Sequence, residues 1–398
     1  MLPSGSAGSS FERPQVAATK LRIPFNRPSF QGKERQYLLE AADSGHWAGD
    51  GPFTKKCHRV FEEIQGVHKV LLTTSCTHAL EMSALLLDIE PGDEVIVPSF
   101  TFVSTANAFA LAGARIRFCD IYPDTLNLDI ESVRALVTDR TRAVVPVHYA
   151  GVGCEMDALT ELADEHDLAI VEDNAHGLFG AYRGRALGTF GSLATLSFHE
   201  TKNFSCGEGG ALLINDPELV GRAEIIREKG TNRSRFFRGE VDKYTWVDLG
   251  SSYLPSELLA AVLYAQLEVR DEIQAKRRRI WERYDEVLAP WAKERGIQTP
   301  HVPDYCEQTY HMYYMLFPDL DRRQALIGRL KEQGILSVFH YLPLHLSDKG
   351  LELGGKPGEC PVTEDVSDRL LRLPFFNGLT SSEQDEVIEA VMREWDRL

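Results

Sequence analysis

Between residues 69 and about 215, short runs of Val, Ile and Leu alternate with segments whose apolar residues recur at helical spacing. No other feature limits the fold as strongly. Segments 69–74, 94–98, 115–121, 143–148, 168–173 and 193–198 read as strands. Segments 77–87, 105–112 and 156–166 read as helices between them, and Pro91-Gly92-Asp93 as a turn. Strands that are apolar along their whole length are covered on both faces. The pattern therefore predicts an α/β fold whose large domain is a mainly parallel sheet with helices on both faces. Beyond Ser256 a helical run from 258 to 280 and onward predicts a connector. Strand candidates 311–317 and 335–340 around a helix at 322–333 predict a smaller C-terminal α/β domain. The expected division is a polar, disordered tail at 1–20, a large domain at 21–255, and a connecting helix with the small domain at 256–398.

Charge and cysteine usage narrow the partners. The 398 residues carry 59 acidic and 43 basic side chains, a net charge of −16, which argues against nucleic acid or an anionic membrane. The seven cysteines are scattered, with no Cys-x-x-Cys pair, and read as mostly buried thiols in a reducing compartment. No stretch reaches 18 apolar residues, and no basic region followed by an apolar one opens the chain. The expectation is a soluble, cytoplasmic protein with no membrane contact.

In a parallel α/β sheet, ligands sit outside the carboxyl ends of the strands, and three segments bring polar groups there. Segment 170–176 delivers Asp173 at the tip of an apolar strand. Segment 196–203 delivers Lys202 just before the glycine-rich string Cys206-Gly207-Glu208-Gly209-Gly210. Thr73-Thr74-Ser75-Cys76-Thr77-His78 is a strand-to-helix junction whose free backbone N–H groups suit a phosphate. Taken singly, these are an N-cap, a solvated lysine and a turn-forming Asp. Together they are the parts that pyridoxal 5'-phosphate (PLP) chemistry needs. A lysine amine condenses with the cofactor aldehyde, and a carboxylate keeps the pyridine nitrogen protonated so that the ring can accept electrons. The same lysine then shuttles a proton.

These segments resemble the DegT/DnrJ-type nucleotide-sugar aminotransferases of the fold type I PLP superfamily. The likeness runs from about Ile23 to the C-terminus, through PSFTFVSTANAFALAGARIRFCDI, AVVPVHYAG, IVEDNAHG, SFHETKN and GEGG. Segments 227–261 and 338–345 (VFHYLPLH) look like the branch acting on dTDP-4-dehydro-6-deoxy-D-glucose at C4. The resemblance implies that Lys202 binds the cofactor covalently, Asp173 pairs with the pyridinium nitrogen, and His176 meets the ring's phenolic oxygen. Phe102 would stack on the pyridine face, and Thr77, the His78 backbone and Ser197 would hold the phosphate. Many relatives reach the phosphate across a dimer interface with an Asn; here the stretch reads Gly250-Ser251-Ser252-Tyr253, so Ser252 or Asn232 is the candidate.

The implied reaction moves an amino group from L-glutamate to C4 of a dTDP-linked 4-keto-6-deoxyhexose, in a homodimer with shared active sites. Arg233, Arg235 and Arg238 read either as a solvated loop or as a clamp for the sugar nucleotide's diphosphate. His340 and Tyr341 read as sugar or nucleotide contacts or as packing. With His345 they lack the third ligand and spacing of a metal site, so no metal is expected. His199 reads as a shaping residue. A 3-keto substrate is the nearest rival. A PLP-dependent sugar dehydratase carries His where this chain has Lys202, and a non-catalytic regulator of this fold lacks the lysine or gains a DNA-binding segment. Whether the new amine is axial or equatorial is not written in the sequence.

Overall fold

The structure is a computed structural model that describes residues 21–398; the tail expected at 1–20 lies outside the described residues. The apolar runs become β1 (Lys69–Thr73), β2 (Glu94–Pro98), β3 (Arg115–Cys119), β4 (Thr141–Val144) and β5 (Ala169–Asp173). After a short hairpin of β6 (Ala181–Tyr182) and β7 (Arg185–Ala186) come β8 (Leu193–Ser197) and β9 (Gly210–Ile214). Seven of these form one sheet in the order β1-β9-β8-β5-β4-β2-β3. Only β9 runs antiparallel to its neighbours, β1 and β8. It is absent from the sequence-based strands because it follows the glycine-rich string with no helix between.

Alternation along each strand feeds two cores. Leu71, Val95, Val97, Val171 and Leu212 face one side, against the helices Cys76–Leu86 and Val103–Leu111. Val70, Leu72, Ala194 and Leu213 face the other, with residues of the helices Pro52–Gln65 and Glu257–Glu268. On that second side Ile96, Val144 and Ile170 pack against the helix Met156–His166. The sheet is thus buried on both faces, as its uninterrupted apolar strands require.

The helical run beyond Ser256 is two helices, Glu257–Glu268 and Arg270–Lys293, separated at Val269 (φ −113°, ψ 25°). The first, grouped with the small domain in the sequence reading, packs in the same cluster as the large sheet. The second carries Ile280, Tyr284, Leu288 and Trp291 into the core of the small lobe. After it, β10 (Cys306–Glu307) joins β6 in the cluster against the large sheet, and within the small lobe β11 (Tyr314–Leu316) pairs antiparallel with β12 (Leu370–Arg372). The strand expected at 335–340 makes only isolated bridges, Ile23 with Ile335 and Val338 with Arg372. The first bridge is parallel and the second antiparallel, to different segments, so they do not form one ladder.

Candidate active site

Asp173 ends β5, and its neighbour Glu172 faces the other way. Glu172 is wholly buried and accepts the backbone N–H groups of Gly188 (2.7 Å), Phe190 (2.6 Å) and Gly191 (2.9 Å). It also meets His148 Nε2 at 2.9 Å. Because His148 Nδ1 accepts the N–H of Cys154 (3.2 Å), Nε2 carries the proton and donates it to Glu172. Glu172 therefore pins the following loop to the sheet and leaves Asp173 to face the pocket. Asp173 Oδ2 accepts Thr105 Oγ1 at 2.7 Å, and Oδ1 accepts the Ala175 N–H at 3.2 Å. Burial raises its pKa above the usual carboxylate range, opposed by those two bonds and by the charge of Lys202.

Lys202 lies in the turn after β8, with its backbone N–H on His199 O at 2.9 Å. Burial lowers its amine to about 8; Cys76 and Asp173 act against that shift, and the charge of Arg372 adds to it. The lysine, in the turn after β8, and the acid, at the end of the adjacent strand β5, thus lie close enough to influence each other's protonation.

Ser75 caps the helix Cys76–Leu86, and its Oγ accepts the His78 N–H at 3.1 Å. The backbone donor that the sequence reading gave to the phosphate at His78 is therefore already bonded within the chain. The helix start still offers the N–H groups of Cys76 and Thr77, which have no acceptor among the described residues. Thr77 Oγ1 and Ser104 Oγ are 2.7 Å apart. Gly210 is required here, because an added Cβ would lie 2.3 Å from Ser75 C and 2.4 Å from Cys76 N. Its partner in register, Ser197, ends β8 on the same side. Phe102, just before the helix Val103–Leu111, is 57% exposed, with its ring centroid 6.4 Å from that of Tyr341.

Histidines fill the opposite wall. The ring of His176 stacks on His311 at 4.2 Å and lies 6.2 Å from His340. His311 Nδ1 donates to Asn203 Oδ1 (2.8 Å), and His340 Nδ1 pairs with the Tyr149 hydroxyl (2.9 Å). Burial holds all three histidines far below the usual imidazole range, so they are neutral. His176 Nδ1 is buried without a partner. Thr309 Oγ1 donates to His176 O (2.6 Å), and Gly151 makes room for it: a Cβ there would fall 1.8 Å from Thr309 Oγ1.

The remaining candidates stand elsewhere. Arg233 and Arg238 line an open cleft of about 840 Å³ with Lys55, Lys69, Arg227 and Ser252, but neither Lys202 nor Asp173 borders it. Arg238 is bonded to Glu224 (2.8 Å) and Glu240 (2.6 Å), and Arg233 lies 3.4 Å from Glu228. Asn232 Oδ1 accepts the Thr245 N–H (2.8 Å). Ser252 adjoins Tyr253, whose ring is 5.1 Å from His78 and whose carbonyl accepts the Thr74 N–H, so this segment passes beside the helix start. His345 is not part of a cluster with His340; it joins Ser99 (2.6 Å) to Glu364 (3.0 Å). No metal-holding group of three or more His, Cys, Asp or Glu occurs among the described residues. Thr105, Tyr149, Asn203, Thr309, His311 and Arg372 were not singled out by the sequence reading. Only Thr105, one turn into the helix after Phe102, carried a usable signal there.

Two parallel-sheet strand ends bearing a lysine and an acid, beside a helix start with free N–H groups, define a PLP enzyme of fold type I. Residues 28–392 match the DegT/DnrJ/EryC1/StrS aminotransferase family, and the chain belongs to it. GDP-perosamine synthase of Caulobacter vibrioides is 33% identical over 93% of this chain and 97% of its own. The aminotransferase TlmJ of Streptoalloteichus hindustanus is 33% identical, with a TM-score of 0.86 over 94% of this chain and 99% of its own. The spore coat polysaccharide biosynthesis protein SpsC of Bacillus subtilis is 32% identical over 93% of this chain and 96% of its own. The residues fit the cofactor. The orphaned Nδ1 of neutral His176 and the close approach of Gly210 to the helix start leave a polar cradle where a phosphorylated pyridine needs one.

Proposed function

We propose that this enzyme transfers an amino group from L-glutamate to C4 of a dTDP-linked 4-keto-6-deoxyhexose, yielding the 4-amino-4,6-dideoxy sugar nucleotide. The reading rests on one observation above the others: Lys202, lowered to about 8, and Asp173, pushed up by burial, stand at neighbouring strand ends. When bound, PLP supplies an aldehyde that carries the amino group and a ring that takes up the electron pair released at carbon. Asp173, fixed by Thr105 and Ala175, keeps a proton on the pyridine nitrogen. Lys202 would hold the cofactor at rest and, once free, its amine would serve as the base and acid that moves the substrate proton. With its amine near 8, roughly a tenth of it is neutral at pH 7, some hundreds of times more than for an unperturbed lysine. His176 would meet the cofactor's phenolic oxygen, Phe102 would cover the ring, and Thr77 and Ser197 would hold the phosphate with the N–H groups at the helix start. His340 and Tyr341 shape the sugar side.

Of the three arginines, Arg235 has no carboxylate partner within 4.0 Å among the described residues and is the candidate for the diphosphate. The same loop exposes Phe237 (69%), Trp246 (71%) and Leu249 (66%), an apolar surface that favours a homodimer in which Ser252 or Asn232 reaches the partner's phosphate. Seven free thiols, mostly buried, fit work in the cytoplasm. No helix among the described residues is long and apolar enough to cross a membrane. A GDP-linked sugar is the second reading, favoured by the 33% identity to GDP-perosamine synthase.

The test incubates the PLP-loaded enzyme with glutamate and either dTDP-4-keto-6-deoxyglucose or a GDP-linked 4-keto-6-deoxyhexose, and identifies the amino sugar by NMR. A C4 amine on the dTDP sugar is the expected result. A C3 amine, or turnover of the GDP sugar alone, overturns the dTDP-C4 assignment.

A further inference from the structure

Asn203 follows Lys202 in the chain and is buried, yet none of the cofactor contacts or proton steps above uses it. Both ends of its amide are committed. Nδ2 donates to Thr309 O at 2.8 Å, and Oδ1 accepts His311 Nδ1 at 2.8 Å. Because the amide nitrogen is spent on a carbonyl, the oxygen is the acceptor, and neutral His311 carries its proton on Nδ1.

The segment that supplies both partners is held from several sides. Tyr310, between Thr309 and His311, has φ 52°, a left-handed conformation that a bulky side chain rarely adopts. Such a turn persists only where its surroundings over-determine it. Here Arg277 donates to Tyr310 O (3.0 Å) and to His311 O, and the Thr309 N–H donates to Gly151 O (3.2 Å). Thr309 Oγ1 adds its bond to His176 O. Segments around 151, 176, 277 and 310 therefore meet beside the residue that follows the lysine.

His176 depends on that meeting point. Among the described residues no hydrogen bond holds its ring, and Nδ1 is buried without a partner. The face of the ring is covered by His311, with centroids 4.2 Å and planes 20° apart; His340 and Tyr149 lie farther off, at 6.2 and 6.0 Å. Both imidazoles of the stack are neutral, so no charge repulsion opposes it. The His176 ring thus takes its angle from His311, and His311 takes its angle from Asn203.

We propose that Asn203 is a positioning residue that registers His176 to Lys202, so that both meet one cofactor molecule. The proposal rests on the reading that sets His176 against the phenolic oxygen. In PLP the aldehyde and the phenolic oxygen stand on adjacent ring carbons, so the groups that engage them must be fixed relative to each other. Asn203 is joined to Lys202 by one peptide bond, and to His176 by one hydrogen bond and one stack, which makes it the link between the two.

The experiment is a double-mutant cycle on PLP binding by the apoprotein, followed by tryptophan fluorescence and by growth of the yellow band. Asn203→Ala, His176→Ala and the double variant are compared with wild type. His176→Ala should weaken PLP about ten-fold and Asn203→Ala about five-fold, the scale of a buried hydrogen bond. Because Asn203 acts through His176, the double variant should be no more than about two-fold weaker than His176→Ala. Asn203→Asp keeps an acceptor for His311 Nδ1 and should recover part of the loss. In apoprotein carrying isotope-labelled histidine, NMR of the His311 nitrogens should show the proton on Nδ1 in wild type and lose that preference in Asn203→Ala. A double variant about 50-fold weaker than wild type, the product of two independent losses, overturns the proposal. So does a wild-type His311 protonated on Nε2. Should Asn203→Ala fail to fold, His311→Leu takes its place in the same cycle with the same outcomes. His176→Ala that binds PLP as well as wild type overturns the placing of His176 and this proposal together, and leaves Lys202 and Asp173 in their roles.

Discussion

Cations in two regions of this molecule stand in opposite electrostatic states. On the exposed loop, Arg233 and Arg238 are matched to Glu228, Glu224 and Glu240, and the charge of Arg238 is reinforced by those bonds. In the pocket, Lys202 has Asp173 as the acid coupled to it, and burial lowers its proton affinity. Arg233 and Arg238 are neutralised by their own chain and serve mainly to shape the loop. The pocket lysine is held ready for something that is not protein. A basic cluster in sequence thus says little about binding until its carboxylate partners are known.

Substitutions test that contrast, the largest effect first. Lys202→Ala should abolish the yellow colour and lower transamination by at least about 10⁴-fold; a coloured, active variant would remove the lysine from the mechanism. Asp173→Asn should keep the fold and lower kcat on the order of 10²–10³-fold, measured at saturating substrates. Thr105→Val removes one bond to Asp173 and should cost about five-fold in kcat, the equivalent of about 1 kcal/mol. The Asp173 carboxyl should then titrate higher, because a bond that favours its charged form is gone. Arg235→Ala should raise KM for the sugar nucleotide about five-fold, while Arg238→Ala changes it less than two-fold, as expected for an exposed paired charge. Equal effects of the two would erase the distinction between paired and available arginines.

The lysine also sets a pH dependence. A protonated amine does not attack an aldehyde, and burial lowers Lys202 to about 8. Uptake of PLP by the apoprotein, followed by absorbance, should therefore accelerate about tenfold per pH unit below 8 and level off above it. An unperturbed lysine would keep accelerating past pH 10. The same shift bears on the stability of the apoprotein. Between about 8 and 10.5 the unfolded chain holds a proton that the native chain has lost, so this group makes the native state more stable as pH rises through that window.

Much of the fold was readable because burial on both faces leaves a plain mark in composition. Uninterrupted Val, Ile and Leu located β2 and β5 almost to the residue. What failed to read was short or contextual. β9 follows glycines with no helix before it, and β12 has three residues. The break at Val269 interrupts a run whose periodicity continues past it. In the site, Asp173 and Lys202 announced themselves by standing at strand ends. Their supports did not: Thr309 reaches His176 from 133 positions away, and His311 reaches Asn203 from 108. Such contacts leave no local pattern.

By itself the sequence determined the layered α/β core and the placing of a lysine, an acid and a phosphate-suited helix start at the carboxyl edge of the sheet. Those follow from hydrophobic periodicity and from where strands must end. The tertiary structure decided which polar groups are already satisfied and which are left over. Ser75 occupies the His78 N–H and Glu224 with Glu240 occupies Arg238, whereas His176 Nδ1 and Arg372 Nε are buried without partners. Hydrogen bonds and ion pairs saturate at short range, so availability depends on neighbours that only the folded chain brings within reach.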